Sequence, residues 1–311
     1  MLLNIVLIIA GVALVLWGAD RMTDGAVAIA QRLNIPPIVI GLTIVAMGTS
    51  MPEFCVSLVS ALKGTADLAI GNVVGSNIMN VLLIVGVAAM VSPMMISVST
   101  VKKDIPWAVV AAIALGFFCY DNLLSRYEAL VLFVFFLAFI CYTLWCAKKG
   151  KITESEESGK KKYSPLMAVG LVLLGLACLI FGSNLFVDSA TKVAEALGVS
   201  EAVIGLTIVA GGTSLPELAT SVVAARKGQS EIAIGNVIGS NVFNIFMILG
   251  ITGLITPMNM PGITLIDLSL MVLSIILLWF FTYTKFKVER WEGAFLFAIL
   301  VGYMWWLIAN A

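Results

Sequence analysis

Hydrophobic residues fill this chain in long blocks, and one polar stretch, KKGKITESEESGKKK at 148–162, divides the blocks into two groups of five. Each block contains roughly the 20 residues that a helix needs to cross the hydrocarbon core of a bilayer. The pattern therefore predicts ten transmembrane helices. The predicted spans are 3–30, 36–62, 67–91, 104–121, 124–147, 166–195, 200–226, 230–256, 263–284 and 289–309.

Composition favours the same membrane location, since 61% of the residues are hydrophobic and 12% are charged, against about 25% charged in a soluble domain. We predict an all-α polytopic membrane protein with a first five-helix repeat at 1–147, a cytoplasmic linker at 148–163 and a second repeat at 164–311. The formal net charge is zero, so we expect no nucleic acid as a partner. We expect the lipid bilayer as a partner because the predicted spans are apolar. We expect the chain to function as a monomer.

The two halves repeat each other. IGLTIVAMGTSMPE at 40–53 returns 164 residues later (204 − 40) as IGLTIVAGGTSLPE at 204–217. IGNVVGSNIMN at 70–80 returns at the same offset as IGNVIGSNVFN at 234–244. Because five is an odd number of spans, the second copy must enter the bilayer from the opposite side. We therefore predict two inverted five-helix repeats around an axis in the membrane plane.

The positive charges are unevenly placed along this pattern. If the N-terminus is outside, 15 of the 18 Lys and Arg residues fall on the inner side of the predicted bilayer. Lys and Arg are enriched in cytoplasmic loops. We therefore predict a multi-pass protein of the cell (plasma) membrane, with both termini outside and the linker in the cytoplasm.

Each copy of the repeated motif GTSxPE places a glycine four residues before a proline, at Gly48 and Pro52 and again at Gly212 and Pro216. Proline has no N–H and clashes with the carbonyl four residues earlier, so we expect transmembrane helices 2 and 7 to be discontinuous. A broken helix frees main-chain carbonyls in the turn before the break, and lipid cannot satisfy them. Half-helices of this kind form ion sites near the midplane of transporters.

Glu53 and Glu217 follow these prolines inside apolar spans, where a charge costs roughly 2.5–3.5 kcal/mol to insert. Since they occupy equivalent positions of a duplication, we predict that the two carboxylates meet at the midplane and bind a cation. Polar side chains also repeat along one face of spans 3 and 8. These are Asn72, Ser76 and Asn80 on span 3 and Asn236, Ser240 and Asn244 on span 8.

The candidate ligand atoms are all oxygens. The chain has no histidine, and its five cysteines lie in or at the ends of apolar runs, where we interpret them as small buried side chains. Oxygen ligands suit Na⁺, K⁺, Ca²⁺ or Mg²⁺. Two carboxylates balance one divalent cation, and Na⁺ or protons could neutralise them equally. This interchange is a physical basis for antiport.

The paired motifs GTSMPE…GNVVGSNIMN and GTSLPE…GNVIGSNVFN resemble the two α-repeats of the sodium/calcium exchanger family, within the wider calcium/cation antiporters. The short linker resembles that of prokaryotic members. The resemblance implies Na⁺/Ca²⁺ exchange by alternating access, in which spans 1 and 6 slide across the rest. It implies that Ca²⁺ and Na⁺ bind as transported substrates and that no cofactor is needed. The implied ligands are Glu53, Glu217, Thr49, Thr213, Ser50, Ser214, Ser76, Ser240, Ala46, Ala210, Asn80 and Asn244.

Several alternatives stay open. Ca²⁺/H⁺ exchange could use the same carboxylates, and the rows of hydroxyls favour Na⁺ over it. Some family members, including potassium-dependent ones, have an aspartate where this chain has Asn244, which weakens the case for K⁺ coupling. A passive channel could be lined by twin carboxylates, but broken helices in an inverted repeat favour a carrier. An intramembrane enzyme would need Glu53 and Glu217 as an acid/base pair, and the chain has no histidine or nucleophile motif to support it.

Overall fold

The computed structural model describes residues 1–149, 163–197, 210–260 and 262–310, most of them in helices. The helices are α1 (Leu2–Leu33), α2 (Pro37–Thr49), α3 (Met51–Leu62), α4 (Ala66–Val91), α5 (Ile105–Phe118, after a π-helical turn at Thr100–Asp104), α6 (Arg126–Lys149), α7 (Pro165–Ala196), α8 (Ala210–Thr213), α9 (Leu215–Arg226), α10 (Ser230–Ile255), α11 (Leu265–Lys285) and α12 (Arg290–Asn310). Four two-residue strands connect them: β1 (Met94–Met95), β2 (Leu123–Leu124), β3 (Met258–Asn259) and β4 (Lys287–Val288).

Six of the described helices are long and apolar enough to cross a membrane. The pair α2 and α3 passes the same test as one span bent by 47°. The predicted helical membrane fold is therefore confirmed at this level. The predicted start of span 7, 200–209, lies outside the described residues, as does most of the predicted linker. Helix α6 continues to Lys149, two residues beyond the predicted end of span 5 at 147.

Helices α4 and α10 form the centre of the bundle. In their most apolar stretches 78% and 83% of the residues are buried, against 22% and 33% in α1 and α7. A central helix must pack against protein on all sides, whereas a peripheral helix can face lipid with apolar side chains. The repeated motifs GNVVGSN at 71–77 and GNVIGSN at 235–241 are on this central pair, so they lie away from the bilayer.

Helices α1 and α7 pack closely against each other through glycines spaced seven residues apart (18 − 11 and 182 − 175). A Cβ added to Gly18 would lie 2.8 Å from the carbonyl oxygen of Gly175, and one added to Gly11 would lie 2.8 Å from that of Gly182. Small residues permit this backbone approach in membranes. The contacts run in opposite directions along the two helices, so α1 and α7 are antiparallel.

The strand pairs join the two halves of the chain. Strand β1 pairs antiparallel with β4, and β2 pairs antiparallel with β3. The registers are related by the repeat offset: Met94 lies opposite Val288 in one pair, and Leu124 lies opposite Met258 in the other. Adding 164 to 94 and to 124 gives 258 and 288, so each pair is the counterpart of the other.

The expectation that all cysteines are buried is wrong. Cys119 is buried, but Cys55 and Cys141 are exposed on the surface of the bundle. A thiol is apolar enough to face lipid, so an apolar run does not tell which face of its helix a cysteine occupies.

We expect Gly175→Ala to weaken the packing of α1 on α7. The added Cβ would lie 2.6 Å from the Gly18 carbonyl oxygen and 2.7 Å from the Met22 nitrogen, and backbone atoms cannot move aside cheaply. Overpacking of this kind costs about 1–3 kcal/mol. The midpoint of thermal unfolding in detergent should fall. Gly170→Ala on the same helix is the control, because nothing lies within 4 Å of its added Cβ. Equal midpoints for the two variants would contradict the packing described.

Candidate cation site

Two helix breaks place an acidic residue at the start of a new helix. Helix α2 ends and α3 begins at Ser50 (φ −82°, ψ 6°), and α8 and α9 are divided in the same way at Ser214 (φ −86°, ψ 4°). Glu53 and Glu217 lie in the first turns of α3 and α9. The N-terminal end of a helix carries partial positive charge. The break therefore gives each carboxylate a favourable field inside an apolar bundle.

The proline in each motif explains which carbonyl is freed. Pro216 has no N–H for the carbonyl of Gly212, and that carbonyl instead accepts a hydrogen bond from the Ser183 hydroxyl of α7. The carbonyl of Ala46 is not free, contrary to expectation. It accepts the N–H of Ser50 at 3.0 Å. The Thr49 hydroxyl oxygen lies 3.3 Å from it, but its one hydrogen has a closer acceptor in Asn236 Oδ1 at 3.0 Å. A carbonyl has two lone pairs, and the second could still face a cation. The role of the Ala46 carbonyl as an ion ligand therefore stays a prediction.

The two glutamates are buried at the same centre. Each residue is 1% exposed, and Glu217 accepts the hydroxyl of Ser50, three residues before Glu53, at 3.0 Å. Two ionised carboxylates at one buried centre would repel each other. Both oxygens of Glu53 and Oε2 of Glu217 have no hydrogen-bond partner among the described residues. A buried carboxylate without a partner is costly. A cation between the two would offset both the repulsion and the missing hydrogen bonds.

Two hydroxyls before the first break reach across to the second half of the chain. The Ser50 hydroxyl donates to Glu217 Oε1 at 3.0 Å, and the Thr49 hydroxyl donates to Asn236 Oδ1 at 3.0 Å. Both bonds join residues about half the chain apart in sequence. The two GTSxPE motifs are thus assembled into one polar centre.

A pair of asparagines holds the glutamate helices to their neighbours in the same way in both halves. Asn72 Nδ2 donates to the Glu53 carbonyl at 3.1 Å and to Ser57 Oγ at 2.9 Å. Asn236 Nδ2 repeats this at offset 164 with the Glu217 carbonyl at 3.3 Å and Ser221 Oγ at 3.0 Å. These amides position the glutamates.

Ser57 and Ser221 were not among the predicted site residues. Each donates its own hydroxyl to a carbonyl of the next helix, that of Ala69 at 3.1 Å and that of Ala233 at 3.3 Å. Their recurrence at the repeat offset was the available signal in the sequence.

Four other predicted ligands are buried on the central helices next to the half-helices of the glutamates. Ser76 and Ser240 are 4% and 0% exposed, and Asn80 and Asn244 are each 1% exposed. Asn80 is on a π-helical turn of α4 that packs against α9, and Asn244 is on one of α10 that packs against α3. Several of these atoms have no hydrogen-bond partner among the described residues. They are Ser214 Oγ, Ser240 Oγ, Asn80 Oδ1 and both polar atoms of Asn244.

The remaining two predicted positions are Thr213 and Ala210, both in α8 directly before the second break. The side chain of Ala210 plays no part in the prediction, which concerns its carbonyl. These positions stay predictions.

The centre can bind a hard cation through two carboxylates and several neutral oxygens. The described residues contain no cluster of three or more His, Cys, Asp or Glu side chains, so neutral oxygens would have to complete any shell. Among the described residues no Lys or Arg is buried, so no fixed positive charge competes for the carboxylates. Ca²⁺ accepts 6–8 oxygens in flexible geometry, and Na⁺ also prefers oxygen.

Comparison with known proteins gives concordant matches over the whole chain. The family described as sodium/calcium exchanger protein matches twice, over residues 3–145 and 167–309. The putative antiporter CaxA of Alkalimonas amylolytica is 35% identical, with 100% of each chain covered. The sodium/calcium exchanger MaX1 of Methanosarcina acetivorans is 34% identical over 97% of each chain. A solved structure of the sodium-calcium exchanger NCX_Mj superposes with a TM-score of 0.83 at 31% identity, over 97% of each chain.

We expect Glu53→Gln and Glu217→Gln each to lower the affinity for Ca²⁺ at least about tenfold, because affinity for this ion follows the number of charged ligands. Isothermal titration of the purified protein with Ca²⁺, in buffer without Na⁺, measures the effect. Glu195→Gln is the control, since Glu195 is exposed on α7. Unchanged affinity in either central variant would exclude that carboxylate from the site.

Proposed function

The chain belongs to the sodium/calcium exchanger family, and we propose that it exchanges Na⁺ for Ca²⁺ across the membrane by alternating access. The observation that carries this proposal is the pair Glu53 and Glu217. They come from the two halves of the chain, they are buried together, and three of their four carboxylate oxygens lack a partner among the described residues. Such a pair needs a cation or protons to be stable in a bilayer.

Several predictions made from the sequence are confirmed at the family level. The chain is a multi-pass membrane protein and a cation antiporter of the Ca²⁺-transporting kind, and it is a secondary transporter and not an enzyme. The family transports Ca²⁺ and Na⁺. The coupling ion, the site residues and the route of the ions belong to the proposal.

The proposed architecture is ten spans in two inverted repeats, at 1–147 and 164–311, joined by a cytoplasmic linker. Two findings support it. The family matches each half separately, at 3–145 and 167–309. The repeat offset also relates the two strand pairs: it converts the register of β1 with β4 into that of β2 with β3. With both termini outside, the first pair would lie at the cytoplasmic face and the second at the outer face, as an in-plane axis requires.

In the proposed site, Glu53 and Glu217 bind Ca²⁺ with the main-chain oxygens of Thr49 and Thr213. Na⁺ would use the flanking hydroxyls, Ser50 and Ser76 with the Ala46 carbonyl on one side. On the other side it would use their counterparts Ser214, Ser240 and Ala210. Both carboxylates come from one chain, which supports a transport unit that is a monomer.

Ca²⁺/H⁺ exchange remains the alternative, since protons could neutralise the same carboxylates. The hydroxyls beside both glutamates favour Na⁺, because a proton needs no coordination shell. Asn244 in place of an aspartate leaves the centre with two carboxylates, which favours Na⁺ without K⁺.

The hydrogen bonds between the halves are one-sided. The Ser50 hydroxyl donates to Glu217, but its repeat counterpart Ser214 Oγ and the Glu53 carboxylate both lack partners among the described residues. Equivalent groups in two repeats would be expected to behave alike in a symmetric state. The difference supports a carrier held in one of two alternating states.

Ion pairs at one end of the bundle also differ between the two repeats. Lys227, at the end of α9, lies 2.6 Å from Asp20 and 2.9 Å from Asp24 of α1. The repeat counterparts of Lys227 and Asp24 are Lys63 and Asp188, and no ion pair joins them in the part of the chain that the structure describes. We propose that α1 and α7 shift against the remaining helices during exchange, and that this shift breaks the ion pairs of Lys227 with Asp20 and Asp24.

Proteoliposomes test the function directly. With Na⁺ inside, wild-type protein should take up ⁴⁵Ca²⁺, and removal of the Na⁺ gradient should stop uptake. Glu53→Gln and Glu217→Gln should each reduce uptake to background, while Glu195→Gln keeps it. Uptake that follows a pH gradient and ignores Na⁺ would replace the proposal with Ca²⁺/H⁺ exchange.

Crosslinking tests the proposed shift of α1. Asp24→Cys and Lys227→Cys, in a background without the five native cysteines, should be joined by a short reducible thiol crosslinker. Joining them should block transport, because α1 would be fixed to α9, and reductant should restore it. Each single-cysteine variant, treated in the same way, is the control. Full transport by the crosslinked chain would show that these helices do not separate.

A further inference from the structure

Four buried asparagines lie between the two halves of the bundle. Asn77 and Asn80 are on α4, and Asn241 and Asn244 are their counterparts on α10 at the repeat offset. Their side chains are between 1% and 3% exposed. Asn80 and Asn244 are predicted ion ligands. Asn77 and Asn241 have no role in the proposed exchange so far.

Asn241 determines which end of the Asn80 amide is free. The Asn80 Nδ2 atom donates to Asn241 Oδ1 at 2.9 Å, and Asn80 Oδ1 has no partner among the described residues. The two ends of an amide differ, since the oxygen accepts and the NH₂ group only donates. A cation is attracted by the oxygen and repelled by the NH₂ group. The bond to Asn241 therefore leaves the Asn80 oxygen available to a cation.

The pair related to it by the repeat offset, Asn77 and Asn244, contains the same parts without the bond. Asn77 Nδ2 donates to the Val73 carbonyl at 2.7 Å, which leaves Asn77 Oδ1 as a buried acceptor without a partner among the described residues. Asn244 has neither of its polar atoms bonded there. An acceptor and an amide donor that are both unsatisfied are costly to bury. Their pairing would repeat the bond that Asn80 makes with Asn241.

We propose that Asn241 and Asn77 are positioning residues, which bind the NH₂ groups of Asn80 and Asn244 and so turn the oxygens of those amides toward the transported cation. The Asn241 bond is formed in this structure. The Asn77 bond forms when the cation draws the Asn244 oxygen inward and turns its NH₂ group toward Asn77 Oδ1. This role rests on the proposed function, because it requires a cation at the centre.

Groups that orient a metal ligand without touching the metal commonly change affinity 10- to 100-fold when replaced. Asn241→Leu has a similar volume and no acceptor, so the Asn80 amide loses its anchor. We expect the KM for Ca²⁺ in Na⁺-driven uptake to rise about tenfold or more, with the maximal rate changed less than about threefold. Asn184→Leu, an exposed position on α7, is the control and should transport as the wild type does. Asn241→Ala repeats the test without added bulk if Asn241→Leu does not accumulate.

A change at Asn80 separates orientation from structural support. Asn80→Asp replaces the amide by a carboxylate, whose two ends are both oxygens and need no orienting. Adding Asn241→Leu to Asn80→Asp should therefore raise the KM little. A tenfold rise in both backgrounds would assign Asn241 to packing only, and an unchanged KM in the wild-type background would also overturn the proposal. The controls identify a failure of the exchange function itself, since wild-type protein would then lack Na⁺-driven uptake or Glu53→Gln would retain it.

Discussion

The structure depends on keeping two carboxylates inside an apolar bundle. A charge at that depth costs roughly 2.5–3.5 kcal/mol or more, and two ionised carboxylates at one centre would also repel each other. The surrounding arrangement reduces this cost. Each glutamate starts a half-helix, where the helix dipole favours an anion, and Asn72 and Asn236 fix those half-helices to the next helix. Three carboxylate oxygens are still left without a partner among the described residues, and the proposed cation would be their partner.

The duplication explains why so many contacts occur in matched sets. The glycine contacts between α1 and α7, the two strand pairs and the two asparagine anchors all recur at the offset of 164 residues. Two bonds without a repeat counterpart among the described residues join Ser50 to Glu217 at the centre and Lys227 to Asp24 at one end. A repeated frame with unmatched bonds at its centre fits the proposed alternating access, in which each half would take the arrangement of the other in turn.

Much of this could be predicted from the sequence, because the determining signals are local. Gly48 and Pro52 are enough to predict the break at Ser50, and Glu53 is conspicuous in an apolar span. Other features depend on neighbours that the sequence does not specify. The Ala46 carbonyl keeps a hydrogen bond because Ser50 N–H still reaches it. Ser57 resembles any small residue of a membrane helix until Asn72 is seen beside it. The exposed position of Cys55 depends on the rotation of α3, which an apolar run leaves undetermined.

Anomalous diffraction from crystals soaked in Ca²⁺ without Na⁺ would test the central claim most directly. We predict one strong peak between the Glu53 and Glu217 carboxylates, within about 2.3–2.6 Å of oxygens from both halves of the chain. A peak bound by one half alone, or no peak between the two glutamates at saturating Ca²⁺, would contradict it.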